Sequence, residues 1–379
     1  MFIYYLFVWL VCGLRFAYLK SIRTDYVLLT GNYYTFLRFG SHTTDSIMRV
    51  DTIANYSWVI PGSYKLSISD SKLILALSDT ITFYNNTAQN ATLLRDNVQI
   101  WGTHTQLGQF MFYYIKSVLY NKDTLSLCFK YANTSFSFVH TLKANDYIDK
   151  ASFALSSAND GKRTMIFGSI DTSDIMAYPY VFPIHIDTNY TDWGFYIESY
   201  TLNGVVVNVN AHIAVQIASE KIVFPSSTFD AVIVNGLFHE QLRNGTCVVK
   251  TSNEFKRIEC MPEVIKSINV EMKFKVKGCL FVIKDDELWS GYTNMNNTFV
   301  IATNLFYPGM WMLGGAFFSK YLIEFDYEKE SIILYSKVKF NANVFDTVVL
   351  TVIKWVDVVM LLGIFVIFVN KYIKFNYNL

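Results

Sequence analysis

Charge is scarce in this chain. Only 17% of its 379 residues are Asp, Glu, Lys or Arg, and the formal net charge is +1. No lysine/arginine cluster upsets that balance. There is no basic field for a phosphate backbone, so nucleic acid is not an expected partner. Proline is also scarce, with six residues, and no Gly/Ser- or Pro-rich stretch divides the chain. Any lobes must therefore pack closely. CxxC and HExxH spacings are absent and the six histidines are scattered. Metal binding is the weaker reading of the cysteines, and no metal or cofactor is expected. No short-period repeat occurs. What fills the space is apolar: 52% hydrophobic and 17% aromatic. That favours a well-packed chain with membrane segments over a disordered one.

Two apolar runs lie at the ends. Met1 to about Gly13 reads as a secretory signal peptide, assigned to residues 1–20. It lacks a basic n-region, so an uncleaved anchor stays open. Val348 to Val369 is long enough at 1.5 Å per residue to cross a bilayer. A transmembrane helix is expected over 347–369, with a buried terminal helix as the rival. Lys354 and Asp357 interrupt the run but are three apart, so on a helix they can pair. Lys371 and Lys374 favour a cytosolic tail at 370–379. The expectation is a single-pass type I protein of the secretory pathway or cell surface, held by the lipid bilayer.

Beyond Cys12 in the first run, Cys128, Cys247, Cys260 and Cys279 remain as disulfide candidates for an oxidising compartment. Which of them pair is not readable. Seven Asn-x-Ser/Thr sequons begin at Asn55, Asn85, Asn90, Asn133, Asn189, Asn244 and Asn296. They allow an extracellular location without establishing one.

Between about 25 and 340 the pattern is mainly β. Residues 321–327 and 332–338 are aromatic and β-branched runs around the polar turn 328–331, a hairpin signature. Residues 195–208 repeat it around Asn203-Gly204, a pair that tolerates positive φ in a two-residue turn. The clearest helix runs from Ser227 to about Arg243, with Phe229, Ile233, Leu237 and Phe238 on one face. His239 on it reads as a surface or packing histidine.

Several segments, in order and at suitable spacing, are similar to pepsin-like aspartic peptidases. Gly31–Gly40 resembles the strand before the first active-site loop. Val50-Asp-Thr-Ile-Ala-Asn-Tyr-Ser-Trp-Val59 resembles that loop. Ile81-Thr-Phe-Tyr84 sits where the family has its flap tyrosine. Met165–Asp171 resembles the entry to the second lobe, and Asn203-Gly204 matches the hairpin before the second loop, Ala214–Pro225. Trp311–Phe318 with Phe325-Asp326 resembles the final buried motif and hairpin. The resemblance implies a mainly β, bilobal acid-protease fold with pseudo-twofold lobes at 25–150 and 151–340. It places a peptide-binding cleft between them, lined by Thr52, Ile53, Phe83, Tyr84, Ile217, Ala218 and Ser219.

The implied chemistry needs two carboxylates about 3 Å apart that share one proton, one acting as base toward water and the other as acid. Asp51 supplies one. Gln216 stands in the place of the other and cannot exchange protons. The glycine after each Asp-Thr pair is Ile53 in one loop and Ala218 in the other, and Ile53 should crowd the cleft floor. Glu220 and Lys221 bring charge to a loop that is normally uncharged, and Phe224 replaces a late glycine. No Asp-Thr-Gly or Asp-Ser-Gly occurs anywhere. The mature-like strand begins near Gly31, leaving no room for an ordinary propeptide. Three roles for Asp51 stay open: a structural remnant held by loop amides, a binding residue, or residual catalysis with another carboxylate such as Glu220. The expectation is a pseudoprotease that holds a peptide or protein segment in its cleft or serves as a surface structural protein. The alternative is an aspartic endopeptidase with a non-standard site.

Overall fold

The structure is a computed structural model. It describes residues 20–342 except 30–31, 42–43, 68, 83–87, 101–105, 117–121, 132, 157–162, 253, 266 and 291–296. The expected membrane helix, tail and nearly all of the signal segment lie outside the described residues, as do Phe83 and Tyr84. Among the described residues no helix is long and apolar enough to cross a membrane.

The first half supplies β1 (Ser21–Leu29), β2 (Asn32–Phe39), β3 (Thr44–Asp51), β4 (Trp58–Val59), β5 (Leu73–Thr82), β6 (Ala88–Ile100), β7 (Gln106–Ile115) and β8 (Thr124–Ser126). A short helix, Phe138–Ala144, follows. Next come β9 (Ser152–Leu155), β10 (Arg163–Gly168) and β11 (Tyr180–His185). The second half supplies β12 (Gly194–Leu202), β13 (Val205–Val215), β14 (Ile222–Val223), β15 (Cys247–Thr251), β16 (Phe255–Cys260), β17 (Met272–Val276), β18 (Cys279–Ile283), β19 (Trp289–Ser290), β20 (Asn297–Asn304), β21 (Trp311–Leu313), β22 (Leu322–Asp326), β23 (Ser331–Ser336) and β24 (Asn341–Ala342).

Side-chain alternation explains these strands. Along β6, Leu94, Asp96, Val98 and Ile100 are buried while Arg95, Asn97 and Gln99 are only partly so, the period of two that a one-sided sheet requires. Strands β22 and β23 are buried at every position, as expected where both faces are covered. They belong to a central layer, in the order β11-β23-β22-β9-β10-β1, shared by both halves of the chain. Both hairpins legible in the sequence form: β22 pairs with β23, and β12 with β13. Asn203 and Gly204 take φ +48° and +83° at the β12–β13 turn.

The helix read over 227–243 is present but wound differently. Ser226–Thr228 and His239–Arg243 are α-helical, while Phe229–Leu237 between them is a π-helix. The amide of Phe238 donates to Ile233 O, five residues back. Phe229, Ile233 and Phe238 are fully buried, so the longer turn still delivers the apolar face to the core.

One disulfide joins Cys247 to Cys260, which sit opposite each other on β15 and β16. Cys128 stays a buried thiol whose Sγ donates to Lys130 O. Burial pushes its pKa up to about 12.

The two halves repeat one pairing scheme. In the first, β3 runs parallel to β8, β4 antiparallel to β8, and β4 parallel to β7. In the second, β13 runs parallel to β21, β14 antiparallel to β21, and β14 parallel to β20. Each scheme ejects the chain into a loop after its first strand: residues 52–57 after β3, and 216–221 after β13. The repeat therefore makes Asp51 and Gln216 structural counterparts.

Candidate active site

The two loops meet between the lobes. Gln216 Nε2 donates to Asp51 Oδ1 at 3.0 Å. The same oxygen accepts the amides of Ile53 at 2.8 Å and Ala54 at 2.9 Å. Gln216 Oε1 faces its own loop and accepts the Ala218 amide at 3.0 Å. Both side chains are buried, so these bonds stand in for solvent. The hydrogen-bond set fixes the glutamine rotamer: amide nitrogen toward the carboxylate, carbonyl toward the backbone.

Thr52 stitches the loops from below. Its hydroxyl donates to Val215 O at 2.5 Å and accepts from the Ile217 amide at 3.2 Å. The position equivalent to Thr52 in the second loop is Ile217, which has no hydroxyl to return the bond. Ser219, also buried, holds its own turn: Oγ accepts the Lys221 amide and the carbonyl accepts the Gly315 amide.

Asp51 Oδ2 faces a cation. Arg49, two residues earlier on the same face of β3, places Nη2 at 3.4 Å from it. The same guanidinium reaches across to Glu254 of the second half, at 3.3 Å and 3.5 Å. Burial pulls the Arg49 pKa down, but the charges of Glu254 and Asp51 outweigh this and raise it. Arg49 is therefore a fixed positive charge at the Asp51 carboxylate. Gln216, the Ile53 and Ala54 amides and Arg49 thus surround the Asp51 carboxylate, with an amide rather than an acid at its counterpart position.

A model of the eukaryotic aspartyl protease family matches residues 32–336. The chain belongs to that family. No curated protein matches the chain closely enough to be named beside it.

For an aspartyl protease the floor of the cleft is altered on both sides. Ile53 is 1% exposed and packs with Ala214, Val223, Phe255, Ala302 and Met312, all from the second half. The branched side chain crosses the lobe boundary and is locked there. Ala218 is fully buried beneath the second loop. Phe224 does not line the cleft: it is buried in the core of the second half against Tyr200 and Trp311. Lys221 is 9% exposed, and burial together with Arg257 lowers its pKa to about 8 against the raising charges of Glu220 and Glu259.

Three contributors, Arg49, Glu254 and Ser126, lie outside the motif segments, and a fourth, Gly314, lies inside the Trp311–Phe318 segment. Arg49 had a readable signal, a cation two residues before Asp51 on one strand. Glu254, 203 residues further on, had none. Ser126 and Gly314 support the two loops from β8 and β21. Ser126 donates from its amide to Ser57 Oγ at 2.9 Å and from its hydroxyl to Ala54 O. Gly314 lies so close to the second loop that a Cβ on it would sit 2.2 Å from Lys221 O and 2.5 Å from Ser219 O.

Proposed function

We propose that this aspartyl protease family member is a membrane-anchored pseudoprotease of the secretory pathway, its cleft kept for binding a peptide or protein segment without cutting it. One observation carries this reading. The Asp51 carboxylate bonds to Gln216, two loop amides and Arg49, and the counterpart position that would carry the second acid holds an amide. Peptide hydrolysis by this family's route needs one group to take a proton from water while its neighbour donates one to the carbonyl. Gln216 can hold a water or donate to a carbonyl, but it cannot return a proton. Arg49 places a guanidinium 3.4 Å from Asp51 Oδ2, a fixed cation beside the carboxylate rather than a second proton-sharing acid. The disulfide fits an oxidising compartment, and the C-terminal apolar run supplies the anchor.

The test is cleavage of a broad peptide library by the purified chain between about pH 3 and pH 7. No turnover is expected, together with measurable retention of a subset of the library. Pepstatin-sensitive turnover that disappears in Asp51→Asn would overturn the pseudoprotease reading in favour of an endopeptidase. Neither turnover nor retention would leave a structural surface protein.

A further inference from the structure

Away from the cleft, a cavity of about 560 Å³ opens between β6, β7 and the helix Phe138–Ala144. It lies within the usual range for small-molecule sites. None of the residues around Asp51 and Gln216 lines it. Arg95 of β6, Gln109 and Met111 of β7, and His140, Thr141 and Lys143 of the helix form its walls.

Arg95 is the informative group. It is half-buried, and among the described residues its guanidinium contacts Met111 Sδ through Nη2 at 3.9 Å, a weak acceptor. It has no ion pair among the described residues. A guanidinium presents five donors in a planar fork that matches carboxylate or sulfate oxygens two at a time. Its remaining donors face the cavity's solvent, where a ligand anion can replace water. The second cation, Lys143, is already paired with Glu328, which leaves Arg95 as the charge on offer. His140 is not a competing cation: burial, reinforced by Lys143, lowers its pKa, and its Nδ1 is bonded to Ser137 Oγ at 2.7 Å. Around the arginine are a hydroxyl from Thr141, the amide of Gln109 and the apolar flank of Met111. Donors and acceptors of both kinds beside an apolar surface suit a polyhydroxylated body better than a bare ion.

We propose that this cavity binds a sugar carrying an acidic group, a uronic acid or a sulfated hexose unit, with Arg95 holding the anionic oxygens. The inference does not rest on the reading of the cleft, because the two sites share no residue.

Isothermal titration of the full-length chain in detergent tests it, with glucose 6-sulfate and glucuronic acid as probes and glucose and inorganic sulfate as controls. At least one acidic sugar should bind about tenfold or more tightly than either control. Arg95→Gln should weaken it about tenfold or more while leaving the melting temperature unchanged. Arg95→Lys, which keeps the charge without the fork, should lose about threefold to fivefold and serves if Arg95→Gln does not fold. Equal binding of glucose, equal binding of inorganic sulfate, preference for a phosphopeptide, or full affinity in the Arg95 variants would each overturn the proposal.

Discussion

The two loops at the lobe boundary started from one pairing scheme and are held by different means. The first is polar and tied from within: Asp51 gathers two of its own amides, Thr52 reaches across, and Ser126 bonds to Ser57 and Ala54. The second adds steric fit to its own hydrogen bonds: Gln216 and Ser219 accept loop amides, Gly315 donates to Ser219 O, and Gly314 lies pressed against Ser219 and Lys221. The residue before the short strand is Ser57 in one loop and Lys221 in the other. A shared topology therefore fixes where the loops go and leaves open what they carry. The side chains of the two loops differ in kind: one presents a carboxylate at the boundary and the other an amide.

That asymmetry can be broken most strongly at the supporting residues. Gly314→Ala inserts a Cβ at 2.2 Å from a backbone carbonyl, where nothing flexible can give way. The expected loss is about 3 kcal/mol or more, enough to prevent folding in a protein of ordinary stability. At the counterpart, Ser126→Gly removes the hydroxyl's bond to Ala54 O, keeps the backbone amide's bond to Ser57 Oγ, introduces no overlap and should cost about 1–2 kcal/mol. Denaturant melts of the two variants decide the matter. Equal losses would mean that the loops are not supported differently.

A second difference between the halves is covalent. Only the second contains a disulfide among the described residues, Cys247–Cys260, closing a loop with a sequence separation of 13. Cys247→Ser should cost about 3 kcal/mol by the loop-closure argument. Because the bridge ties β15 to β16 at the end of the second sheet, protection from hydrogen exchange should fall there first and in β3 and β8 last. Uniform loss through both halves would show that the lobes unfold as a single unit.

Much of this was legible in the sequence. The β-rich pattern, both hairpins and the order of family segments needed only side-chain alternation and turn residues, since these are local signals. Asp51 and Gln216 were found by position in a motif. The crowding by Ile53 was expected in kind, but its burial among residues of the other half was not, because contacts across about 160–260 positions leave no periodic trace. Glu254 was invisible for the same reason. The π-helix at 229–237 escaped because a five-residue hydrogen-bond step buries nearly the same side chains as a four-residue one.

The finest test concerns Lys221, the charged member of the pair with Ser57. Its folded-state pKa is lowered from 10.5 to about 8, with burial the largest cause. The unfolded chain therefore binds more protons than the folded one between those two values. Stability should rise with pH across that window, and the cost of burying the charged lysine is fully present below about pH 8. Lys221→Met removes that cost but also removes the attraction between the lysine and the charges of Glu220 and Glu259, the latter keeping its ion pair with Arg257. The net gain at neutral pH should be about 1–2 kcal/mol, smaller than the full shift implies. The gain should shrink from about pH 8 upward and vanish above about 10.5. Serine at position 57 has no charge to titrate, so Ser57→Ala should give a difference from the parent that does not change over the same range. A Lys221→Met advantage that is flat with pH would show that the lysine reaches solvent in solution, and the second loop would then be less tightly packed than the fit around Gly314 requires.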